Sequence, residues 1–482
     1  MSRLAAALAL ALTLSAADPI RLHPRNPHYF EFRGKPVALV TSGEHYGSVL
    51  NPAFDYRKYL DTLAADGLNY TRIFGGSYVE VPGRSFGIRR NTLAPEPGRF
   101  LAPWARSAEP GYEGGGNKFD LDRWSPEYFE RYRDFLAEAG KRGIVVEITF
   151  FSSTYQEAQW KLSPFHPSNN VNNTSLAEWK KLNTLDNGVI LACQERYVRK
   201  LVHEAAAFDN VIFEIQNEPW SDRGSLTAVV NPYLRAPARD QYPNSIDLAD
   251  AASTAWQSRV AEWIASEESA LPAKHLVAQN YANFGAPVRA LAPGVSIVNF
   301  HYAYPAAVES NYGLNKALGY DETGFLGSED DPYLRQAWNF LLSGGSVFDS
   351  LDYSFSPGHE DGADTEPNGP GGGSPTLRRR LGILSRFLNS MSLPDLVRDP
   401  RVVAHASGVY ARALSTPAGD YAIYLDGDGP SDLTLRLPAG QYTGEWLDIG
   451  AGAVTKLPPF TAGQPLHTPE FRYGIALRLT RR

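Results

Sequence analysis

The sequence predicts an α/β protein, a (β/α)8 barrel followed by a small all-β sandwich. Three observations carry that reading. Between about residues 39 and 391, runs of β-branched and aromatic residues alternate with segments of helical period, as in a parallel sheet built from crossover units. Eight strand runs can be counted over roughly 370 residues, which suits a closed barrel with enlarged loops. Beyond Leu393 the helical period stops and short runs of period two take over.

Residues 19–40 read as short strands and turns, a lead-in ending on Pro36-Val37-Ala38-Leu39-Val40, with Leu39-Val40 in the first barrel strand. Tyr56 to Ala65 has helical spacing, and Leu68 to Phe74 is the second strand. From Pro126 to Arg142, Phe129, Tyr132, Phe135, Leu136 and Ala139 share one helical face, which Gly143 ends. Strand three follows as Ile144 to Phe150. A helix from Cys193 to Phe208 precedes strand four, Val211-Ile212-Phe213 onward to Glu218. Another, Asp250 to Leu271, leads to strand five at His275 to Gln279. Strand six is Val295 to His301, strand seven lies in Leu318 to Phe325, and strand eight is Ser346 to Leu351, before a helix from Leu377 to Met391.

Two long loops, 92–124 and 357–375, carry glycine triplets without the spacing of a phosphate-binding loop, so each is expected to wall a cleft. His359-Glu360-Asp361 in the second could offer metal ligands, although a charged loop tip is the commoner meaning of such a run. The runs beginning at Val409, Tyr421, Leu433, Thr443 and Ile475 read as sandwich strands. The expected division is residues 1–17 as a signal peptide, 18–392 as the barrel and 393–482 as the sandwich.

Arg3, the apolar stretch Leu4 to Leu14 and the small residues Ser15-Ala16-Ala17 together resemble a signal peptide. The stretch is too short to span a bilayer. A secreted or periplasmic location without a membrane span is therefore expected. Cys193 is the single cysteine of 482 residues, so no internal disulfide is available and a small buried side chain is expected there. Hydrophobic residues at 43% supply a sizeable core, and a net charge of −7 offers no basic footprint for nucleic acid.

The most informative segment is Glu214-Ile215-Gln216-Asn217-Glu218-Pro219. It delivers an amide and a carboxyl to the C-terminal end of strand four, where barrels of this kind keep their chemistry. Strict alternation would turn Asn217 and Glu218 to opposite faces, so the strand must break register there. A second carboxylate, Glu322, lies 104 residues on. That is three units of roughly 30 or more residues each, which places it on strand seven, across the mouth from Glu218. Two carboxyls facing each other over a sugar are the machinery for cleaving a glycosidic bond. Other acids receive other roles. Glu214 is expected to hydrogen-bond inside the barrel, Glu147 to be buried and paired, and Asp321 to point away. Glu44 and His45, at the end of strand one, are candidates to bind substrate.

With both carboxylates placed, the chain resembles the clan A glycoside hydrolases, the retaining TIM-barrel group that includes family 5 cellulases and mannanases, over roughly Leu22 to Met391. Asn217-Glu218-Pro219 carries the resemblance, with Gly67-Leu68-Asn69-Tyr70-Thr71-Arg72, Phe300-His301-Tyr302 and Glu322 before Thr323-Gly324. The resemblance implies Glu218 as general acid/base and Glu322 as nucleophile. It implies that Asn217 binds the sugar 2-hydroxyl, that Arg72 keeps Glu322 ionised, and that His301 and Tyr302 line the cleft. A carbohydrate would be the partner, with no metal and no cofactor. Double displacement needs carboxyls about 5 Å apart and the charge of Glu322 raising the pKa of Glu218. Two departures concern the sugar site. Ala303 stands where a second aromatic is common, a place that Tyr302 or Tyr304 could take, and Asp349 to Phe355 lacks the usual tryptophan, leaving Asp352, Tyr353 or another loop residue for that place. A non-catalytic carbohydrate-binding protein on the same barrel, or a transglycosylase using the same residues, are the alternative readings.

Overall fold

The computed structural model describes residues 18–229, 233, 235, 243–366 and 368–482. The expected signal peptide lies outside the described residues. Eight parallel strands form the central sheet: β1 (Leu39–Gly43), β2 (Tyr70–Phe74), β3 (Val145–Ser152), β4 (Val211–Asn217), β5 (Leu276–Asn283), β6 (Val295–His301), β7 (Ala317–Glu322) and β8 (Val347–Leu351). From β2 to β8 each pairs with the next in sequence, and β8 pairs back onto β1 from Val347↔Leu39 to Leu351↔Gly43. Only the β1–β2 seam lacks a ladder among these strands. There the Asn69 side chain takes over: its Oδ1 accepts the Val40 N–H at 2.8 Å and its Nδ2 donates to the Ala38 carbonyl at 2.9 Å. Higher up, the Phe74 N–H donates to the Tyr46 carbonyl at 3.0 Å.

Helices α1 (Tyr56–Ala65), α2 (Pro126–Lys141), α3 (Ile190–Ala205), α4 (Ala251–Ser269), α5 (Pro305–Asn311), α6 (Asp330–Leu341) and α7 (Pro375–Asn389) cover the ring. The α2 helix shows why: Ser125 caps it by accepting the Tyr128 N–H, Pro126 occupies its first turn, and its apolar face is buried. Cys193 is buried on α3. One unit is irregular, because residues 284–294 join β5 to β6 without a helix.

The lead-in folds as a three-stranded antiparallel sheet that plugs the base of the ring. Ile20 and Phe30 from it pack with one residue from the lower end of every barrel strand: Leu39, Tyr70, Val145, Ile212, Ala278, Ile297, Ala317 and Val347. After α7 come a six-stranded and a three-stranded antiparallel sheet. Their shared core includes Ile423, Leu433, Tyr442, Trp446 and Leu477, which makes the sandwich. It docks on α6 and α7. Trp338 stacks on Tyr424 with ring centres 5.4 Å apart, and Arg335 Nε meets Asp426 Oδ1 at 2.7 Å.

Candidate active site

The C-terminal end of β4 sets the site. Asn217 is the last strand residue, and Glu218 then turns into the left-handed region at φ 47°, ψ 54°. A non-glycine residue held there costs roughly 1–3 kcal/mol and persists only when its surroundings fix it. Here the Glu218 N–H donates to Asn280 Oδ1 at 2.8 Å, and Pro219 opens a short helix immediately afterwards. The register break turns both Asn217 and Glu218 to the mouth of the ring. Asn217 Oδ1 accepts from Arg72 Nη2 at 2.8 Å, and its Nδ2 donates to the Tyr155 hydroxyl at 2.9 Å.

Glu322 closes β7 opposite. Its Oε2 accepts from the Tyr46 hydroxyl at 2.8 Å, and its Oε1 from the Tyr302 hydroxyl at 2.7 Å. The Tyr155 hydroxyl donates to Glu218 Oε2 at 2.7 Å. A carboxylate oxygen of Glu218, a ring nitrogen of His301 and a carboxylate oxygen of Glu322 all lie within 4.8 Å of one another. His301 Nδ1 is 2.9 Å from Glu218 Oε1 and 3.5 Å from Glu322 Oε1. Its other nitrogen stands 3.6 Å from Asp321 Oδ1.

The charge state follows from this placement. Burial works against a charged His301, yet Glu322 and Asp321 beside it outweigh that and lift its pKa well above the usual imidazole value. Burial pushes the Glu218 carboxyl up. The hydrogen bond and charge of His301, with the hydroxyls of Tyr155 and Ser221, outweigh it and hold Glu218 below the usual carboxylate range. A unit charge 4 Å away is worth about 4 kcal/mol at an effective dielectric near 20, several times the roughly 1.4 kcal/mol of one pKa unit. This reverses the expectation that Glu322 would keep a proton on Glu218. The imidazole stands between both carboxylates, which favours a proton on His301 over one on Glu218.

Beneath the pair lies a fully buried polar layer. Arg72 Nε meets Glu214 Oε2 at 3.0 Å and Asp321 Oδ2 at 3.5 Å, while its Nη1 is 3.4 Å from Glu322 Oε2. Its guanidinium lies over the Tyr46 ring, 4.7 Å from the centre. Arg72 therefore serves Glu214 more closely than Glu322. Burial raises Glu214 to about 7 against the pull of Arg72. Glu147 accepts from the Tyr70 hydroxyl at 2.9 Å and from Asn299 Nδ2 at 2.7 Å, and burial raises its carboxyl too. Asp321 points into this layer rather than to the mouth, and its carboxylate meets both Arg72 and His301. Each acidic trio, Glu218 with His301 and Glu322, or Glu147 with Glu214 and Asp321, could converge on a cation. The guanidinium and the imidazolium already supply the positive charge there.

A small cavity opens above the pair. His45, Tyr302 and Asn217 line it with both glutamates, whereas His301 lies beneath them and Glu44 lies elsewhere. The Glu44 carboxylate is turned into its own loop, accepting the N–H groups of Gly47 at 3.0 Å and Ser48 at 2.9 Å. Tyr353 lines the cavity, but Asp352 is consumed by Arg378 Nη1 at 2.7 Å and the Ser354 N–H at 3.0 Å. Tyr304 does not reach in; it stacks on Phe284 near the surface. In the loop after β8, Glu360 accepts the Asp55 and Gly358 N–H groups, and Asp361 pairs with Lys58 at 3.0 Å. Sequence reasoning passed over Tyr46, Tyr155 and Glu80, which lines the cavity with its Oε1 3.2 Å from His45 Nε2. Tyr46 follows His45 directly, and its aromatic type at a strand end was the available signal.

No protein-family model matches the chain, and no curated protein matches it. Solved structures do match. A candidate glycoside hydrolase from Bacteroides vulgatus ATCC 8482 superposes with a TM-score of 0.65 at 14% identity, over 97% of this chain and 83% of that one. A glycoside hydrolase family 5 structure from the same organism gives 0.64 at 12% identity, over 96% and 93%. The catalytic domain of GH30 xylanase C from Talaromyces cellulolyticus gives 0.50 at 10% identity, over 96% and 100%. At such identities the likeness establishes the fold.

Proposed function

We propose that the protein is an exported retaining glycoside hydrolase that cleaves β-glycosidic bonds of a carbohydrate. The observation that carries this is the approach of Glu218 and Glu322 within 4.8 Å at the rim of the ring. Inverting enzymes keep their carboxyls about 6.5–9.5 Å apart to admit a water, whereas retaining ones bring them to about 5 Å. Glu322 attacks the anomeric carbon through one carboxylate oxygen while the other keeps a tyrosine hydroxyl. As the C–O bond to the leaving group breaks, that oxygen takes a proton from Glu218. Water then attacks the glycosyl-enzyme, giving its proton to Glu218 and its hydroxyl to the anomeric carbon while the bond to Glu322 breaks and frees its carboxylate.

His301 supplies the missing step. Its Nδ1–H faces Glu218 Oε1 at 2.9 Å, so the proton crosses to Glu218 and on to the leaving oxygen as Glu322 spends its negative charge on the sugar. Asn217 is held by Arg72 and Tyr155 with its amide at the cavity wall, where it meets a ring hydroxyl of the sugar. The test is the anomer of the first product, followed by NMR on an aryl β-glycoside. In parallel, Glu218→Ala is assayed with added azide, which should restore turnover and yield the β-glycosyl azide. A first product of inverted configuration would sink the double displacement.

A further inference from the structure

Three aromatic residues beside the glutamates are held against their own backbone preference. Phe284, just past β5, Tyr302, just past β6, and Phe325, in the loop after β7, have φ angles of 55°, 53° and 62°. A bulky side chain in the left-handed region is strained and persists only where its neighbours fix it, and such strain gathers at ligand sites. The fixing bonds run from loop to loop through the backbone. The Tyr302 N–H donates to the Glu322 carbonyl at 3.0 Å, the Phe284 N–H to the His301 carbonyl at 2.7 Å, and the Tyr304 N–H to the Phe284 carbonyl at 2.9 Å.

The rings form a row that leads away from the site. Tyr302 starts it, with its hydroxyl on Glu322 Oε1 at 2.7 Å. Phe284 comes next, 6.3 Å from Tyr302 between ring centres, and Tyr304 stacks on Phe284 at 5.6 Å with the two planes 14° apart. Phe325 stands edge-on to Tyr302 at 5.8 Å. Tyr302 and Phe325 line the cavity over the glutamates. Phe284 is buried but Tyr304 is 47% exposed, so the row passes from the cavity to the surface. Phe325 and the adjoining Leu326 are exposed as well. An apolar patch continuous with a cavity is a binding surface rather than scattered surface hydrophobicity.

The acid decides which half of a substrate meets this row. Glu218 protonates the leaving oxygen, so the leaving group lies on the Glu218 side of the scissile bond. Glu218 has its N–H on Asn280 of β5 and its carboxyl on His301 of β6. Phe284 and Tyr304 belong to the loops after those same two strands. We propose that Tyr304, backed by Phe284, is a platform for a sugar of the leaving group, so that the natural substrate is a β-linked glycan continuing beyond the scissile bond. This rests on the hydrolase reading above. The apolar C–H face of a pyranose ring lies on Tyr304, while Phe284 covers the opposite face and keeps the tyrosine from turning away. No bond forms or breaks there; contact with this remote sugar holds the reacting bond at the glutamates.

The test uses the full chain with β-linked gluco-, manno- and xylo-oligosaccharides of three to six residues, and with the matching β-glycosyl fluorides, whose leaving group is too small to reach Tyr304. In Tyr304→Ala the ratio of kcat/KM on the oligosaccharide to that on the fluoride should fall about three- to tenfold, at unchanged Tm. Tyr304→Phe, which keeps the ring, should hold the wild-type ratio. A ratio unchanged in Tyr304→Ala, or equally low in Tyr304→Phe, would overturn stacking on Tyr304 while turnover of the fluoride leaves the hydrolase reading intact. Hydrolysis of the fluorides with no oligosaccharide cleaved would do the same. Absence of turnover on every substrate would overturn both readings.

Discussion

The two ends of this barrel are built from the same eight strands to opposite specifications. At the base, one mainly apolar residue per strand closes over Ile20 and Phe30. Towards the mouth the same strands carry Arg72 and end in Asn217, His301 and Glu322, all buried, with Glu218 just past β4 in a left-handed turn. Burying a charge is costly unless it is paired, and each charge at the mouth is paired or hydrogen-bonded. The base needs only contact, so its free energy comes from area removed from water. Stability is concentrated where no chemistry occurs, and strain is tolerated where it does.

The sharpest break of that contrast is Glu322→Ala. It should cost about 10⁴-fold or more in kcat on any turned-over aryl β-glycoside, roughly 5.5 kcal/mol at 1.36 per decade, while Tm holds or rises. A modest loss would mean that another carboxylate does the attacking. Next comes the opposite experiment, Phe30→Ala at the base. Emptying that site should destabilise by about 3–5 kcal/mol in denaturant titrations and leave kcat unchanged. A parallel fall in kcat would show the two ends to be mechanically coupled.

Tyr155→Phe should have a smaller effect. It removes a hydroxyl from Glu218, and a hydrogen bond to a charged group is worth about 1.5–3 kcal/mol. The expected loss in kcat is about 10- to 100-fold, with the acid limb of the pH–rate profile displaced. An unmoved limb would detach Tyr155 from the proton on Glu218.

The smallest effect is on stability against pH. Burial raises both Glu214 and Asp222 to about 7. Raised carboxylates bind protons in the native state that the unfolded chain has already released. Stability should therefore climb as pH falls from 7 towards 5, and level off near the ordinary carboxylate values. Calorimetry should find Tm higher at pH 5 by about 1–3 °C, and Asp222→Asn should flatten the slope. A Tm that falls over that interval would mean these groups are ionised in the native protein.

The sequence made the base and the strands readable because their signal is periodic. β-branched runs, the Pro126–Lys141 face and the proline after Glu218 are local patterns that local physics obeys. The Glu218–Glu322 separation was readable because a barrel turns chain length into angular position. The partners of those glutamates were not. Tyr46, Tyr155 and Glu80 sit in loops, and Tyr46 and Tyr302 adopt positive φ angles, 60° and 53°, that no periodicity announces. Glu44 looked as promising as His45 because one-residue spacing cannot say which of two neighbours a turn spends on its own backbone. The proton on His301 was hidden for a deeper reason. It depends on three distances among residues drawn from β4, β6 and β7.

The Asn69 seam adds one further consequence. Everywhere else around the ring, adjacent strands pair in a ladder, but β1 and β2 are held by the Asn69 side chain and its N–H on the Val40 carbonyl at 3.2 Å below, and by the Phe74–Tyr46 bond above. Tyr46 follows β1 and Arg72 belongs to β2, and both touch the same Glu322 oxygen. Any breathing of the ring at its weakest join would pull apart the two hands on that carboxylate, so the joint that closes the circle also governs how firmly Glu322 is held.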